Sequence, residues 1–221
     1  MAPQKSLPTV DLSPFFEDCD SAQSQKALED LRRVCQSLGA VNIVGHGIPQ
    51  ELLLEAFSCS ERLYNLSHED KMKAPHPEGP IPHRGYSHPG LEKVYSKEDL
   101  DDDQVKSSGG QSLRQIMDYK ESYEIGSQDN PNQPNIWLPE ETLPGFQDFM
   151  TKFYWNLDRA ARPILKAICQ SLGTTPAEQE QVMQLHSGHN NQLRLLHYPS
   201  TPAEQLETMV LARMPAHTDF R

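Results

Sequence analysis

The sequence closes on Pro-Ala-His217-Thr-Asp219-Phe-Arg, and His217 and Asp219 are the residues whose types and spacing most directly suggest chemistry. They stand two apart in a stretch that reads as strand, so both side chains point to the same face. A neutral imidazole beside a carboxylate makes up part of the two-histidine, one-carboxylate set that holds non-haem Fe(II) and leaves positions open for reactants. Alone, a His-x-Asp triplet is weak: a surface histidine next to a solvated aspartate is spelled the same way. Its position improves the metal reading, because it follows two apolar strands and starts just after Pro215, and a rigid strand suits ligands that must converge. The third ligand is expected from a neighbouring strand later in the chain, and the sequence stops two residues after Asp219.

Other residues compete for a role. His186 and His189 could pair on a turn, but no carboxylate accompanies them, so a helix-ending loop is the simpler reading. His83 and His88 flank Arg84-Gly85-Tyr86 in a proline-rich stretch and read as polar loop residues. Arg84 and Tyr86 themselves are candidates for lining a pocket, against a plainer role in loop packing. His46 lies between two glycines and supports a turn. His197 precedes Tyr198 and is not an obvious co-ligand. Arg194 and Arg213 read as strand-edge or surface arginines. No Gly-x-Ser-x-Gly element and no glycine-rich phosphate loop of standard spacing occurs.

The elements that must position these groups follow from periodicity. Residues 7–12 form a short strand closed by Pro14. Ala27, Leu28, Leu31, Val34, Cys35 and Leu38 recur at helical spacing, with Gly39 at the C-terminal cap. Residues 40–44 make a compact strand. Pro49 opens a helix that buries Leu52, Leu53, Ala56, Phe57, Leu63 and Tyr64, and Ser67 with Asp70 caps a short one after it. Prolines and glycines between residues 74 and 110 forbid long helices and leave room for a short strand near Arg84-Gly85-Tyr86. A strand is expected over 117–125, an extended loop over 128–144, and then the longest helix, from Phe146 to Leu172, with a kink or break near Pro163. Thr175-Pro-Ala-Glu178 is a capping box starting a helix that ends near Leu185. Strands follow over 193–198 and 208–214, and a last one begins near Ala216.

Composition sets outer limits. A chain of 221 residues can bury one sizeable core, or form a helical lobe plus part of a second unit, and a net charge of −11 argues against nucleic acid or anionic membrane as partner. The acidic run 98–103 reads as a solvated loop. Four cysteines without a Cys-x-x-Cys pair, no signal peptide and no apolar span point to a reduced, cytoplasmic protein. Cys35 and Cys169 read as small core residues, and no cysteine is assigned catalysis.

Several segments then stand in a telling order: residues 7–12 (LPTVDL), 39–49 (GAVNIVGHGIP), 84–86 (RGY), 118–126 (DYKESYEIG), 135–139 (NIWLP), 193–199 (LRLLHYP) and His217-Thr-Asp219. No one of them is decisive, but the ordered set resembles, over essentially the whole chain, the iron- and 2-oxoglutarate-dependent oxygenases of the isopenicillin N synthase-like family. The resemblance implies an α+β fold, with an N-terminal helical region packed on an incomplete double-stranded β-helix, or jelly roll. Residues 1–126 would be the N-terminal non-haem dioxygenase domain, including the loop 74–110, and residues 127–221 the long helix and first strands of the jelly roll, with the C-terminal part missing. His217 and Asp219 would be iron ligands, and Tyr198 would hydrogen-bond the 2-oxoglutarate carboxylate. Leu196 stands where some members carry an asparagine, and Arg221 where a small residue is usual. The second histidine ligand and the Arg-x-Ser pair that grips the co-substrate lie in strands that members place after this point. The implied activity is hydroxylation, desaturation or ring closure of a small molecule in secondary metabolism, using Fe(II), 2-oxoglutarate, dioxygen and, as a further candidate, ascorbate. An alternative stays open: an inactive shortened relative, either a relic or an interaction partner whose barrel another chain completes.

Overall fold

The structure is a computed structural model that describes residues 6–78, 84–91, 117–186, 190–201 and 211–212. Helices and short sheets combine, and the chain divides into two compact units, residues 1–59 with 145–191 and residues 60–144 with 192–221.

The first unit begins with β1 (Thr9–Asp11), which pairs in parallel with β2 (Asn42–Val44), Val10 opposite Ile43. Between them lie α1 (Ser13–Glu17) and α2 (Ala22–Leu38). Pro14 does not simply close the strand, as expected; it sits in the first turn of α1, where a missing N–H loses no helical bond. α2 starts at Ser21, whose hydroxyl accepts from Ser24 N–H, and ends at Gly39 in the left-handed conformation (φ 71°). Val10, Leu12, Phe15, Ala27, Leu28, Leu31, Val34 and Ala167 form its core. Cys35, expected there, is exposed, as is Leu38: both lie on the apolar stripe, but the last turn of α2 runs past what covers it. Cys169 is buried as expected.

Helix α3 (Gln50–Tyr64) buries Ala56, Cys59, Leu63 and Tyr64 and leaves Leu52 and Leu53 half-buried. Phe57, expected inside, is 75% exposed. It lies about 100° round the helix from Ala56, and coverage rather than pattern decides: Tyr64, two turns on along the same line, is buried, with the His197 ring stacked on it. Of the kink or break expected near Pro163, no break occurs: the long helix α5 (Phe146–Ser171) continues through it, and Ile164, Ala167 and Ile168 beyond the proline pack on the first unit's core. Helix α6 (Pro176–Leu185) carries the capping box, with Thr175 N–H donating to Glu178 Oε2 (2.7 Å) and Glu178 N–H to Thr175 Oγ1 (3.3 Å).

The second unit contains the short helix α4 (His68–Lys71), capped by Ser67, and two sheets. β5 (Glu121–Gly126) lies between β3 (Gly85–Ser87) and β6 (Gln192–His197), antiparallel to both. β4 (Met117–Asp118) pairs in parallel with β7 (Leu211–Ala212). The single strand expected over 117–125 is therefore two strands, because the chain changes sheet at Tyr119-Lys120. Asn135 closes the end of β5 like a strand residue: it accepts from Gly126 N–H (2.7 Å) and donates to Gly126 carbonyl oxygen (2.8 Å). Tyr86, Tyr123, Ile125 and Leu195 fill the interior.

Candidate active site

β5 is buried along its whole length, yet it reads Glu-Ser-Tyr-Glu-Ile-Gly. A strand sends successive side chains to opposite faces, so Glu121, Tyr123 and Ile125 share one face and Ser122, Glu124 and Gly126 the other. Each face thus buries one carboxylate. An isolated buried carboxylate is costly, so each must be met by donors or cations.

On the first face Glu121 is met three times. Lys71 Nζ, from α4, lies 2.8 Å from Oε2, and Tyr86 Oη, from β3, makes a short bond to the same oxygen. His197 Nδ1, directly across the ladder on β6, lies 2.7 Å from Oε1. Burial pushes the Glu121 pKa up, but the bonds from Lys71, Tyr86 and His197, with the Lys71 charge, more than offset it and hold the group below its ordinary value. The ionised carboxylate only accepts, so His197 Nδ1 carries the proton and donates. Burial, the Glu121 bond and the Glu121 charge raise the Tyr86 pKa, which keeps its phenol a donor. Tyr64 stacks on the His197 ring at 5.0 Å and donates to the Leu195 carbonyl at 2.7 Å. Lys71 also donates to the Tyr64 carbonyl at 3.2 Å.

On the second face Glu124 Oε1 accepts from Arg194 Nε (2.8 Å), again its direct cross-strand neighbour, and from Ser122 Oγ (2.9 Å). Arg194 does lie on a strand at the edge of its sheet among the described residues, but its charge is committed to a buried partner. Arg84 is 1% exposed. Its guanidinium lies over Gly126, where an added Cβ would come within 2.0 Å of Nη2, and it donates to Gln133 Oε1 at 3.1 Å.

Tyr198 follows the last residue of β6 and is half-buried. His217 and Asp219 lie outside the described residues, as do His83, His189, Arg213, the acidic run 98–103 and the strand expected from Ala216. His46 does support its turn: Nδ1 accepts from Ile48 N–H at 3.1 Å. Among the described residues no group of three or more His, Cys, Asp or Glu could hold a metal. The donor kinds at His217 and Asp219, imidazole and carboxylate, suit Fe(II). The sequence did not single out Glu121, Lys71 or Glu124, and it set His197 aside. The available signal was the pair of glutamates in an otherwise strand-like run.

The chain matches the protein family described as non-haem dioxygenase in morphine synthesis N-terminal, over residues 7–141. The chain belongs to this family. It is 34% identical over 97% of its length to 2-oxoglutarate-dependent dioxygenase frbA of Dothideomycetidae sp. (strain 11243), covering 60% of that protein. It is likewise 34% identical over 97% of its length to 2-oxoglutarate-dependent dioxygenase imqE of Aspergillus flavus, covering 61%. The crystal structure of a full-length Neurospora crassa protein in complex with alpha-KG aligns with all of this chain and 63% of that one, at a TM-score of 0.74 and 26% identity. The chain therefore spans about 60% of the length of the curated relatives it matches. The α+β fold, shared in part with solved 2-oxoglutarate oxygenases, agrees with the expectation from the sequence. No described helix is long and apolar enough to cross a membrane, and the four cysteines are free thiols.

Proposed function

We propose that this chain belongs to an Fe(II)- and 2-oxoglutarate-dependent oxygenase that hydroxylates, desaturates or ring-closes a small molecule of secondary metabolism. On this reading residues 1–126 are the N-terminal oxygenase domain and residues 127–221 the long helix and first jelly-roll strands. His217 and Asp219 hold the iron, and Tyr198 donates to a 2-oxoglutarate carboxylate. When bound, the iron supplies dioxygen activation coupled to decarboxylation of 2-oxoglutarate to succinate. The chain's own work is to present those two ligands and to orient the co-substrate. The observation that carries this reading is the likeness over the whole chain to a structure holding alpha-KG. Free thiols favour a reduced, cytoplasmic setting.

The test is to incubate the purified chain with Fe(II), dioxygen and labelled 2-oxoglutarate. Succinate that disappears in His217→Ala and Asp219→Ala is the expected result. No succinate, together with no Fe(II) binding, overturns catalysis by this chain. A second reading then gains: a non-catalytic chain docked on another that completes its barrel. A complex in sedimentation with a full-length oxygenase would support it.

A further inference from the structure

The geometry points to Glu121 and His197 as positioning residues for Tyr198, an inference that rests on the proposed role of Tyr198 as a 2-oxoglutarate contact. His197 is the last residue of β6, and its ring is fixed twice on one face of the sheet. Nδ1 donates to Glu121 at 2.7 Å, and Tyr64 stacks at 5.0 Å. Glu121 is itself immobilised by Lys71 at 2.8 Å and by Tyr86. The next residue is Tyr198, and the one after it is Pro199. A residue before proline is held to extended backbone, and on extended backbone neighbouring side chains leave on opposite sides. With the His197 ring pinned to one face and the Tyr198 backbone held extended, the Tyr198 phenol is directed to the other. Anchor and phenol therefore act through one shared peptide unit, without touching. Fixing the phenol before the keto acid arrives lowers the ordering cost of binding it.

The variants separate this from general packing. His197→Phe keeps a ring for Tyr64 and loses the bond to Glu121. His197→Asn keeps a donor near the Nδ1 position. Glu121→Gln keeps an acceptor without the charge. 2-Oxoglutarate affinity is measured by anaerobic calorimetry with Fe(II), and amide hydrogen exchange is measured on the chain alone. His197→Phe and Tyr198→Phe each weaken 2-oxoglutarate on the order of tenfold, the scale of one hydrogen bond. The double variant is no weaker than Tyr198→Phe, because the anchor acts only through the phenol. His197→Asn restores affinity to within about twofold. Without ligand, His197→Phe and Glu121→Gln speed exchange over residues 192–201 and leave α5 unchanged. Effects that multiply in the double variant, or His197→Phe binding like wild type while Tyr198→Phe does not, overturn the inference and leave the Tyr198 reading standing. If Tyr198→Phe binds as well as wild type, or wild type does not bind, the Tyr198 reading falls and takes the inference with it.

Discussion

Replacing Lys71 by methionine removes one half of a buried ion pair whose surroundings are fully defined. Nζ lies 2.8 Å from Glu121 Oε2, and the side chains are 9% and 5% exposed, so solvent screens the pair little. Methionine fills a similar length and donates nothing. Removing one partner of a buried pair costs about 3–5 kcal/mol, because the remaining charge is left uncompensated. Glu121 keeps its bonds from Tyr86 and His197, which places the loss toward the lower end. The Tyr64 carbonyl also loses its 3.2 Å donor, a further loss of about 1 kcal/mol. At roughly 2–4 °C per kcal/mol for a chain of this size, the combined loss of about 4 kcal/mol lowers the thermal midpoint by roughly 8–16 °C. Differential scanning calorimetry at neutral pH reads the shift. The companion variant Lys71→Met/Glu121→Gln removes the stranded charge; its amide oxygen still accepts from His197 Nδ1 and its NH2 can donate to Tyr86 Oη, and it recovers more than half of the loss. A midpoint for Lys71→Met within a degree or two of wild type, or a double variant that falls further than the single, would refute the reasoning.

Two more perturbations probe the same sheet. Gly126→Ala sets a Cβ 2.0 Å from Arg84 Nη2 and 2.3 Å from Cζ, and with Arg84 buried this overpacking costs about 1–3 kcal/mol; an unchanged urea midpoint would mean the guanidinium moves aside freely. The Glu121 pKa is lower folded than unfolded, so its contribution to stability is complete above the ordinary value of 4.5 and is lost as pH falls below it through the folded value. Unfolding free energies through that acid range should therefore fall less steeply for Glu121→Gln than for wild type, and parallel slopes would count against the assigned ionisation.

Much of the first unit was legible because its signals are local. Gly39 ends α2, and Thr175 with Glu178 starts α6, through bonds within a few residues. What failed there was the extent of coverage: nothing local tells Phe57 from Tyr64 on their shared helical line, or says that Cys35 lies beyond the reach of its neighbours. In the second unit, local reading found the strands and missed their contents. Lys71 is nearly hidden because Glu121, fifty residues on, needs a cation, and a partner at that separation leaves no mark on the spacing around residue 71. His197 was discounted for the same reason: its partner is seventy-six residues away. His217 and Asp219 were legible from residue type and spacing, whereas Tyr198 entered through family resemblance.

The two buried glutamates do more together than either does alone. Across the antiparallel ladder, Glu121 faces His197 and Glu124 faces Arg194. The glutamates point to opposite faces, so each face of the β5–β6 pair carries one matched acid–base contact. A slip of one residue would turn every β6 side chain to the wrong face. It would set Glu121 opposite Leu196 or Tyr198 and Glu124 opposite Leu193 or Leu195, taking the His197 and Arg194 donors away from the two buried carboxylates. An apolar strand such as Leu-x-Leu-Leu has no such preference, because one leucine fills another's place with little loss. The Glu121–His197 and Glu124–Arg194 pairs thus set the register that the apolar residues leave open, and the register fixes where β6 ends. Since Tyr198 is the first residue past that end, the position of the proposed co-substrate contact follows from two carboxylates that never touch it.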